Sequence, residues 1–336
     1  MRLKTQALIV VLYCLAFYVP SAAAEKKVAK KVEITVSEPA VLWRNPSDLA
    51  SRDLFYGPGG RTHTPRGVFS FLKEDLDGTN PKFTVSDADG VKWKVKLGDE
   101  ARPETAATRF VWAVGYFADE DYYLPELRVV NVPARVKRGR KWIDPEGAMR
   151  GARLERSIPG DEKLGVWSWR DDPFTGTRQW NGLRVLLALM NGWDVKDVNN
   201  TVYERDHEQI YTVADLGATF GTPGLSWSKR RSKGDPKTYT RSRFIAKVTS
   251  DYVDFVTPAR PSWVNLVNPK AYFARRRLRW VGTGIPRQDA KWMGALLARL
   301  SAKQIRSAFE SAGYSLVEIE DYARIVEYRI AELNEL

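Results

Sequence analysis

Three short segments of alternating apolar and polar residues constrain the fold of this chain more than any other feature of its sequence. They are VFSFLKE (68–74), KFTVSD (82–87) and VKWKVKLG (91–98). A period of two is typical of β-strands, and the intervening residues, DLDGTNP and ADG, are those that form turns. The pattern therefore predicts a three-stranded antiparallel meander. In the third segment one face carries only apolar residues, and the other carries Lys92, Lys94 and Lys96.

A predicted helix follows the meander, and further strand-like segments follow the helix. The helical segment, RPETAATRFVWAVGY (102–116), has proline in its first turn and apolar residues near helical spacing. After about residue 172 the apolar residues recur mostly at helical spacing. We therefore expect an α+β, two-lobed chain with three parts after its first 24 residues. These are an extended arm (25–67), an antiparallel-sheet lobe with one helix (68–172) and a mainly helical lobe (173–336).

The first 24 residues have the composition of a secretory signal peptide. Arg2 and Lys4 precede an apolar stretch, and residues 22–24 are the small side chains that signal peptidase requires. We therefore expect cleavage after residue 24 and a secreted or periplasmic protein, with an uncleaved anchor as the alternative. The single cysteine, Cys14, lies in this segment. The remaining sequence therefore excludes disulfides, thiolate nucleophiles and cysteine-bound zinc.

The formal net charge of +12 favours anionic partners. The basic segment 227–243 is a candidate for binding an anionic acceptor or a membrane surface, and a solvated loop is the alternative. The basic run 274–280 resembles a nucleic-acid patch. An exported protein seldom meets nucleic acid, so we expect no such partner. His63 and His207 lie far apart in the sequence, which argues against a histidine zinc site or a catalytic triad.

Carboxylates and an amide flank a short predicted hairpin in the second half of the chain. A strongly apolar helix (181–193) leads to Asp194, and Asn199 follows five residues later. The segments NTVY and IYTVA form the predicted hairpin, and Asp215 comes directly after it. Such an arrangement brings two carboxylates and an amide to one point. Phosphoryl transfer requires this set, because one carboxylate orients the attacking hydroxyl and the other oxygens hold a divalent cation on the phosphates.

These motifs resemble those of the protein-kinase-like superfamily. WDVKDVNN (193–200) is similar to the catalytic-loop motif H-R-D-L-K-x-x-N, and the DLG that begins at Asp215 is similar to D-F-G. The resemblance implies that Asp194 is the catalytic base and that Lys196 steadies the transferred phosphate. Asn199 and Asp215 would then be the metal ligands.

The upstream half of the resemblance concerns nucleotide binding. Lys96 lies where the family has a third-strand lysine that contacts the nucleotide phosphates, and Glu104 would be its ion-pair partner. Glu100 is the alternative partner, because Glu104 follows Lys96 by only eight positions. Gly78 lies in the loop that would cover the phosphates. The resemblance therefore implies a two-lobed protein-kinase-like fold that binds ATP with Mg²⁺ or Mn²⁺.

Several departures from the family pattern point away from eukaryotic-type protein kinases. Trp193 stands where arginine is usual, the phosphate-covering loop has Gly78 as its single glycine, and no A-P-E signature follows DLG. These departures favour the atypical branches, which include phosphatidylinositol-kinase-like and secretory-pathway-kinase-like enzymes. They leave open an inactive, kinase-shaped binding protein, a transferase of AMP instead of phosphate, and a basic surface-binding module without nucleotide. The resemblance identifies no acceptor.

Overall fold

The computed structural model describes residues 38–78, 80–158, 160–192, 194–222, 233–257 and 278–336. The predicted signal peptide and residues 227–232 of the basic segment lie outside these ranges. Within them the strands are β1 (Ala40–Val41), β2 (Phe69–Asp75), β3 (Lys82–Ser86), β4 (Lys92–Leu97), β5 (Phe117–Ala118), β6 (Asp121–Val130), β7 (Ala148–Arg156), β8 (Glu162–Gly165), β9 (Thr201–Arg205), β10 (Glu208–Val213), β11 (Ile245–Val248), β12 (Tyr252–Phe255) and β13 (Ile285–Pro286). The α-helices are α1 (Ala101–Ala113), α2 (Arg178–Leu189), α3 (Pro236–Thr240), α4 (Arg287–Leu297), α5 (Ala302–Glu310) and α6 (Leu316–Asn334).

The first half of the chain forms a small closed barrel in the strand order β2-β3-β4-β7-β6. Neighbouring strands are antiparallel, except that β6 closes the barrel by pairing in parallel with β2. The predicted meander is confirmed as β2, β3 and β4. Trp93, Val95 and Leu97 are buried in the barrel core, as their alternation predicts.

Helix α1 connects the barrel to the helical half. It contacts β6 and β7 on one side and α5 on the other. Because both sides are covered, nearly all of its residues are buried, and Phe110 and Val111 belong to the core of the helical half. The helix begins directly after β4, so its first turns lie close to the end of the lysine-bearing strand.

A second sheet lies beyond the barrel and has the strand order β1-β10-β9-β8, with β5 also pairing with β10. The chain leaves the barrel between Arg156 and Glu162, and β8 then precedes the first helix of the helical half, α2. Strand β8 pairs with β9, which follows it by more than thirty residues. Local periodicity does not report such a long-range pairing.

The helical half has a core rich in aromatic side chains. Phe309 of α5 stacks on Tyr322 of α6, with ring centroids 4.6 Å apart. Both helices begin with a capping box, in which Ser301 and Ser315 accept bonds from backbone N–H groups of the first turn. The hairpin β11–β12 interrupts the helical region expected after residue 240. No helix in the described ranges is long and apolar enough to cross a membrane.

The arm that precedes the barrel has little regular structure, but it is part of the core. Its short strand β1 pairs in parallel with β10. Leu42, Leu49 and Leu54 are buried in the core of the helical half. The side chain of Gln304 on α5 donates hydrogen bonds to the carbonyl oxygens of Leu49 and Arg52, at 2.8 and 3.0 Å. The arm thus ties α5 to the start of the described chain.

Candidate active site

Lys96 is the centre of a buried ion-pair cluster. It lies near the end of β4, shortly before α1 begins, and its side chain is only 3% exposed. Its Nζ donates to Glu104 Oε2 at 2.7 Å and to Asp215 Oδ1 at 2.6 Å. One ammonium group therefore joins the third barrel strand, helix α1 and the segment that follows the β9–β10 hairpin.

The surrounding charges control the protonation of this cluster. Burial disfavours the ammonium form of Lys96, but the carboxylates of Glu104 and Asp215 outweigh burial and raise its pKa. Burial raises the pKa of Glu104 to about 7, against the opposing effects of Arg153 and Lys96. Lys96 therefore remains charged at neutral pH, whereas Glu104 titrates there.

Arg153 is a second buried cation beside Glu104 that the sequence analysis did not identify. It lies on β7, directly opposite Lys96 in the strand register. Its Nη2 lies 3.4 Å from Glu104 Oε1, and its Nη1 forms an ion pair with Asp121. Glu104 is therefore held from two sides, which fixes the carboxylate that orients Lys96.

Glu100, the alternative partner of Lys96, has a different position in the cluster. Its Oε2 lies 3.4 Å from Lys96 Nζ, farther than Glu104. It accepts a hydrogen bond from Asn80 and forms an ion pair with Lys233. A Cβ added to Gly217 would lie 2.6 Å from Glu100 Cβ, so the glycine of DLG permits the close approach to the start of α1.

Asp215 and Asn199 are brought together by the β9–β10 hairpin, since one precedes the hairpin and the other follows it. Asn199 Nδ2 donates to Asp215 Oδ2 at 2.5 Å. Asp215 has a left-handed backbone with φ of 54°, which is uncommon outside glycine and concentrates at functional sites. Burial opposes ionisation of Asp215, but Lys96 outweighs it and lowers the pKa of this carboxyl group.

Asp194 and Lys196 lie in the loop between α2 and the hairpin, and they form an ion pair of 2.8 Å with each other. Their side chains are 38% and 54% exposed. Both line the same cavity as Asn199 and Asp215. Trp193, which precedes them, lies outside the described residues. The neighbouring Asp197 anchors the loop by accepting bonds from Ser168 Oγ at 2.9 Å and from the backbone N–H of Trp169 at 3.0 Å.

A cavity of about 620 Å³ joins all these groups. This size falls within the usual range for small-molecule sites. Gly78 lines it from the β2–β3 loop and has φ of 73°, a conformation that glycine adopts without strain. Arg138 holds this loop by donating to the carbonyl oxygens of Gly78 and Asp75, at 2.6 and 2.8 Å. A side-chain clamp thus stabilises a loop that has few glycines.

Two sets of oxygens could coordinate a divalent cation. Carboxylate oxygens of Glu100, Glu104 and Asp215 lie within 4.8 Å of one another, but Lys96 already bonds to all three residues. The pair Asn199 and Asp215 borders the cavity and offers a carboxylate and an amide, the oxygen ligands that Mg²⁺ prefers. Rotation of the Asn199 amide would exchange its nitrogen for its oxygen. These two residues therefore fit a magnesium site.

Three features together decide the fold. They are the order of the barrel strands, the pairing of a third-strand lysine with a glutamate of the next helix, and the hairpin between Asn199 and Asp215. The fold is protein-kinase-like. The α+β, two-lobed architecture expected from the sequence is confirmed, with a sheet lobe followed by a mainly helical lobe.

Two solved structures are weakly similar to this chain. A crystal structure of a Helicobacter pylori proinflammatory kinase, CtkA, is 11% identical, covers 81% of this chain and 98% of its own, and gives a TM-score of 0.44. A crystal structure of the Golgi casein kinase is 9% identical, covers 87% of this chain and 77% of its own, and gives a TM-score of 0.38. No protein-family model and no curated protein matches the chain. Neither structure assigns a substrate to this kinase-like chain.

The structure adds several site residues to those expected from the sequence. Arg153 contacts Glu104 of α1, and Asn80 and Lys233 contact Glu100, which directly precedes the helix. The alternation in GARLERS could have placed Arg153 on the same sheet face as Lys96, but only with the β4–β7 register known. Asn80 belongs to a turn-forming segment, and its neighbours alone predict a turn residue.

Proposed function

We propose that this chain is a metal-dependent phosphotransferase that moves a phosphoryl group from a nucleoside triphosphate to a hydroxyl group. The sequence resemblance makes ATP the expected donor. One observation carries the proposal: the Lys96 ammonium bonds at once to Glu104 and Asp215, at the wall of a cavity that Asp194 and Asn199 also line. Phosphoryl transfer depends mainly on such positioned charges.

Lys96 supplies the positive charge that binds the donor's phosphates. Because Glu104 and Arg153 fix its position, little reorganisation is needed when a nucleotide enters. Lys82 also lines the cavity and adds a second ammonium group on the neighbouring strand. Gly78 allows the β2–β3 loop to cover the phosphates closely, since no side chain projects from it.

Asp194 is the general base of the proposed reaction. Its partly exposed carboxylate borders the cavity and accepts the proton of the attacking hydroxyl group. The acceptor oxygen then bonds to the γ-phosphorus, while the bond from that phosphorus to the bridging oxygen breaks. The diphosphate leaves with the bonding electron pair. Lys196 lies beside Asp194, where its charge steadies the transferred phosphoryl group.

Asn199 and Asp215 would hold Mg²⁺ or Mn²⁺. The ion would neutralise negative charge on the donor's phosphates, which is its general contribution to this reaction. Asp215 is ionised at neutral pH because Lys96 lowers its pKa, so it is ready to act as a ligand. The hairpin fixes the two residues side by side before any ligand enters.

Export and an anionic acceptor are further parts of the proposal. Residues 1–24 support export by their composition, and the basic segment 227–243 supports an anionic acceptor or membrane surface. Lys233, within that segment, forms an ion pair with Glu100, so part of the segment lies against the site.

The test measures nucleotide binding and transfer on the same protein. Melting temperatures are recorded with ATP or GTP, with and without Mg²⁺ or Mn²⁺. A ligand at 100 times its dissociation constant adds about 2.7 kcal/mol to the free energy of unfolding. Nucleotides labelled at the α- or γ-phosphate are then offered with candidate hydroxyl acceptors. Label transferred from the γ-position supports the proposal, and label from the α-position replaces it with AMP transfer.

Asp321→Asn is the matched control, because Asp321 lies on the surface of α6 and pairs with Arg324, away from the cavity. It should bind nucleotide as the wild type does. Metal-dependent binding without transfer of either label would favour the kinase-shaped binding protein. No melting shift with any nucleotide would contradict the nucleotide site itself.

A further inference from the structure

The cavity extends well beyond the groups that would handle phosphates. Lys94 precedes Lys96 by two positions on β4, and Tyr203 follows Thr201 by two on β9; both line the cavity. An advance of two residues along a strand covers about 6.6 Å. The cavity walls formed by β4 and β9 therefore both continue away from Lys96 and Asn199. A nucleotide with its phosphates at Lys96 would therefore place its base in this second part of the cavity.

Charged side chains form the wall of this part, which we call the base end. They are Lys94, Asp119, Glu155 and Lys163, and Tyr203 lies among them. Lys94 forms an ion pair with Glu155, directly across the β4–β7 register. Burial opposes ionisation of Glu155, but Lys94 and Arg153 outweigh it and lower the pKa to about 2. The hydrogen-bonding capacity of this carboxylate is thus largely used within the protein.

Asp119 and Lys163 differ from that pair. Among the residues that the structure describes, neither side chain has a hydrogen-bond or ion-pair partner, although both line the cavity. Burial, with the nearby charges of Glu155 and Asp121, raises the pKa of Asp119 well above its usual range. Partial burial of its ammonium group, together with the charge of Lys94, lowers the pKa of Lys163 although the residue as a whole is exposed. Each group would gain from a ligand that offers the matching hydrogen-bonding partner.

The two common purines differ in what they offer to such a wall. Guanine presents two adjacent N–H donors, at N1 and at the 2-amino group, and acceptors at O6 and N7. Two N–H donors can pair with both oxygens of one carboxylate and favour its ionised form. An ammonium group can donate to O6 or N7. Adenine has no such pair of adjacent donors, so one oxygen of an ionised carboxylate would be left without a partner.

We propose that the base end recognises guanine, through the Asp119 carboxylate on its two N–H donors and Lys163 on its acceptor atoms, so that the phosphate donor is GTP in preference to ATP. This inference rests on the proposed phosphotransferase function. Tyr203 supplies a partly buried aromatic surface at the same place. Lys94 and Glu155 neutralise each other and leave Asp119 as the available carboxyl group.

The wild-type protein tests this inference without any substitution. Dissociation constants are measured by calorimetry for GTP, ITP and ATP, each with Mg²⁺, at one pH and salt concentration. ITP lacks the 2-amino group and is otherwise the same as GTP. A good bidentate contact discriminates by about 5- to 150-fold, so GTP should bind tighter than ATP by a factor in that range. ITP should fall between them.

Asp119→Asn then tests the residue assignment through a change of preference. The asparagine amide would accept from N1–H and donate to the 2-oxo group of xanthine, so XTP should replace GTP as the tightest ligand. Glu120→Gln is the matched control, because Glu120 is the adjacent residue but bonds to His63 and Arg156 outside the cavity. It should keep the wild-type order.

Each outcome separates this inference from the function on which it rests. Binding of ATP as tight as GTP, with γ-phosphate transfer intact, overturns guanine recognition and leaves the phosphotransferase. An Asp119→Asn variant that keeps the preference for GTP removes Asp119 from base recognition. Failure of every nucleotide to bind or to donate phosphate overturns the proposed function as well.

Discussion

The two ends of the cavity differ in how the protein treats its own charges. At the end of the cavity around Lys96, which we call the phosphate end, Lys96 is buried and bonds to Glu104 and Asp215. At the base end, Asp119 and Lys163 line the cavity, and neither has a hydrogen-bonding partner among the described residues. A fully paired cluster is preorganised, whereas unpaired groups that face a cavity are available to a ligand. Under the proposed function, this difference would let one end position charge for phosphoryl transfer and the other distinguish between nucleotides.

The same contrast occurs along a single strand. Lys94 and Lys96 have identical places in the alternating pattern of β4, yet the Lys94 side chain is 58% exposed and that of Lys96 is 3% exposed. Helix α1 begins just after β4 and brings its glutamates to Lys96. Burial of a charged group requires such partners, so the position of α1 decides which lysine enters the cluster.

The largest expected effect is at the phosphate end, on catalysis alone. Asp194→Asn should lower kcat by about 10²- to 10⁴-fold, because the general base is lost. The Asp194–Lys196 ion pair is substantially exposed, so its loss should change the free energy of unfolding by less than about 1 kcal/mol. Steady-state kinetics and chemical denaturation measure the two effects. Turnover equal to that of the wild type would contradict the role of Asp194.

The next effect concerns metal-dependent binding at the same end. Asp215→Asn should weaken nucleotide binding in the presence of Mg²⁺ by about 10- to 100-fold, as is typical when groups of a metal site are altered. Binding without Mg²⁺ should change much less. Calorimetry with and without the ion separates the two contributions. An equal loss in both conditions would indicate that Asp215 acts only by holding Lys96.

The pH dependence of stability and activity tests the phosphate end separately from the base end. Glu104 belongs to the ion-pair cluster around Lys96 but titrates near neutral pH. Its pKa is raised by burial to about 7, from an ordinary value of 4.5. The stability that it contributes is therefore fully present below pH 4.5 and is lost as the pH rises through 7. Activity should change in the opposite direction, because only the ionised carboxylate orients Lys96.

Glu104→Gln removes this titration and provides the measurement. The wild-type kcat/KM should rise with an apparent pKa near 7, and the variant should lack that step at a lower overall rate. Its denaturation midpoint should be less sensitive to pH between 5 and 8 than that of the wild type. A step retained in the variant would assign the titration to another group.

The smallest expected effect is at the base end. Lys163→Ala should reduce the preference for GTP over ATP by about 5-fold, the lower limit for one base contact, and leave kcat with saturating GTP unchanged. Lys163 is exposed, so folding should be preserved. Competition between the two nucleotides measures the ratio directly. A fall in kcat without a change in nucleotide preference would place Lys163 at the reacting groups. It would then contradict the division of the cavity into a phosphate end and a base end.

Much of the fold could be predicted because local patterns determine it. The barrel strands β2, β3 and β4 have alternation and turn residues, and α5 and α6 have serine caps followed by helical periodicity. The hairpin β11–β12 was missed. Apolar and polar residues do alternate in part over residues 244–256, FIAKVTSDYVDFV. The segment lies between helical patterns, however, and was therefore included in the region predicted to be helical.

The site was less predictable than the fold. The resemblance to the protein-kinase-like superfamily singled out Lys96, Glu104, Asn199 and Asp215, and the structure brings them into one cluster. Arg153 lies on β7, and Asp119 lies in the connection between β5 and β6. The pairing of these strands involves residues that are distant in the sequence. Their contribution depends on register and burial, which a single sequence does not report.

The arm sets a practical limit for anyone producing this protein. Its leucines fill the core of the helical half, and Gln304 fixes its backbone at Leu49 and Arg52. A shortened version that begins at the barrel, near residue 68, would expose that core and lose the strand beside β10. A minimal folded fragment should therefore start before Pro39, and a purification tag is better placed N-terminal to Pro39 than within the arm.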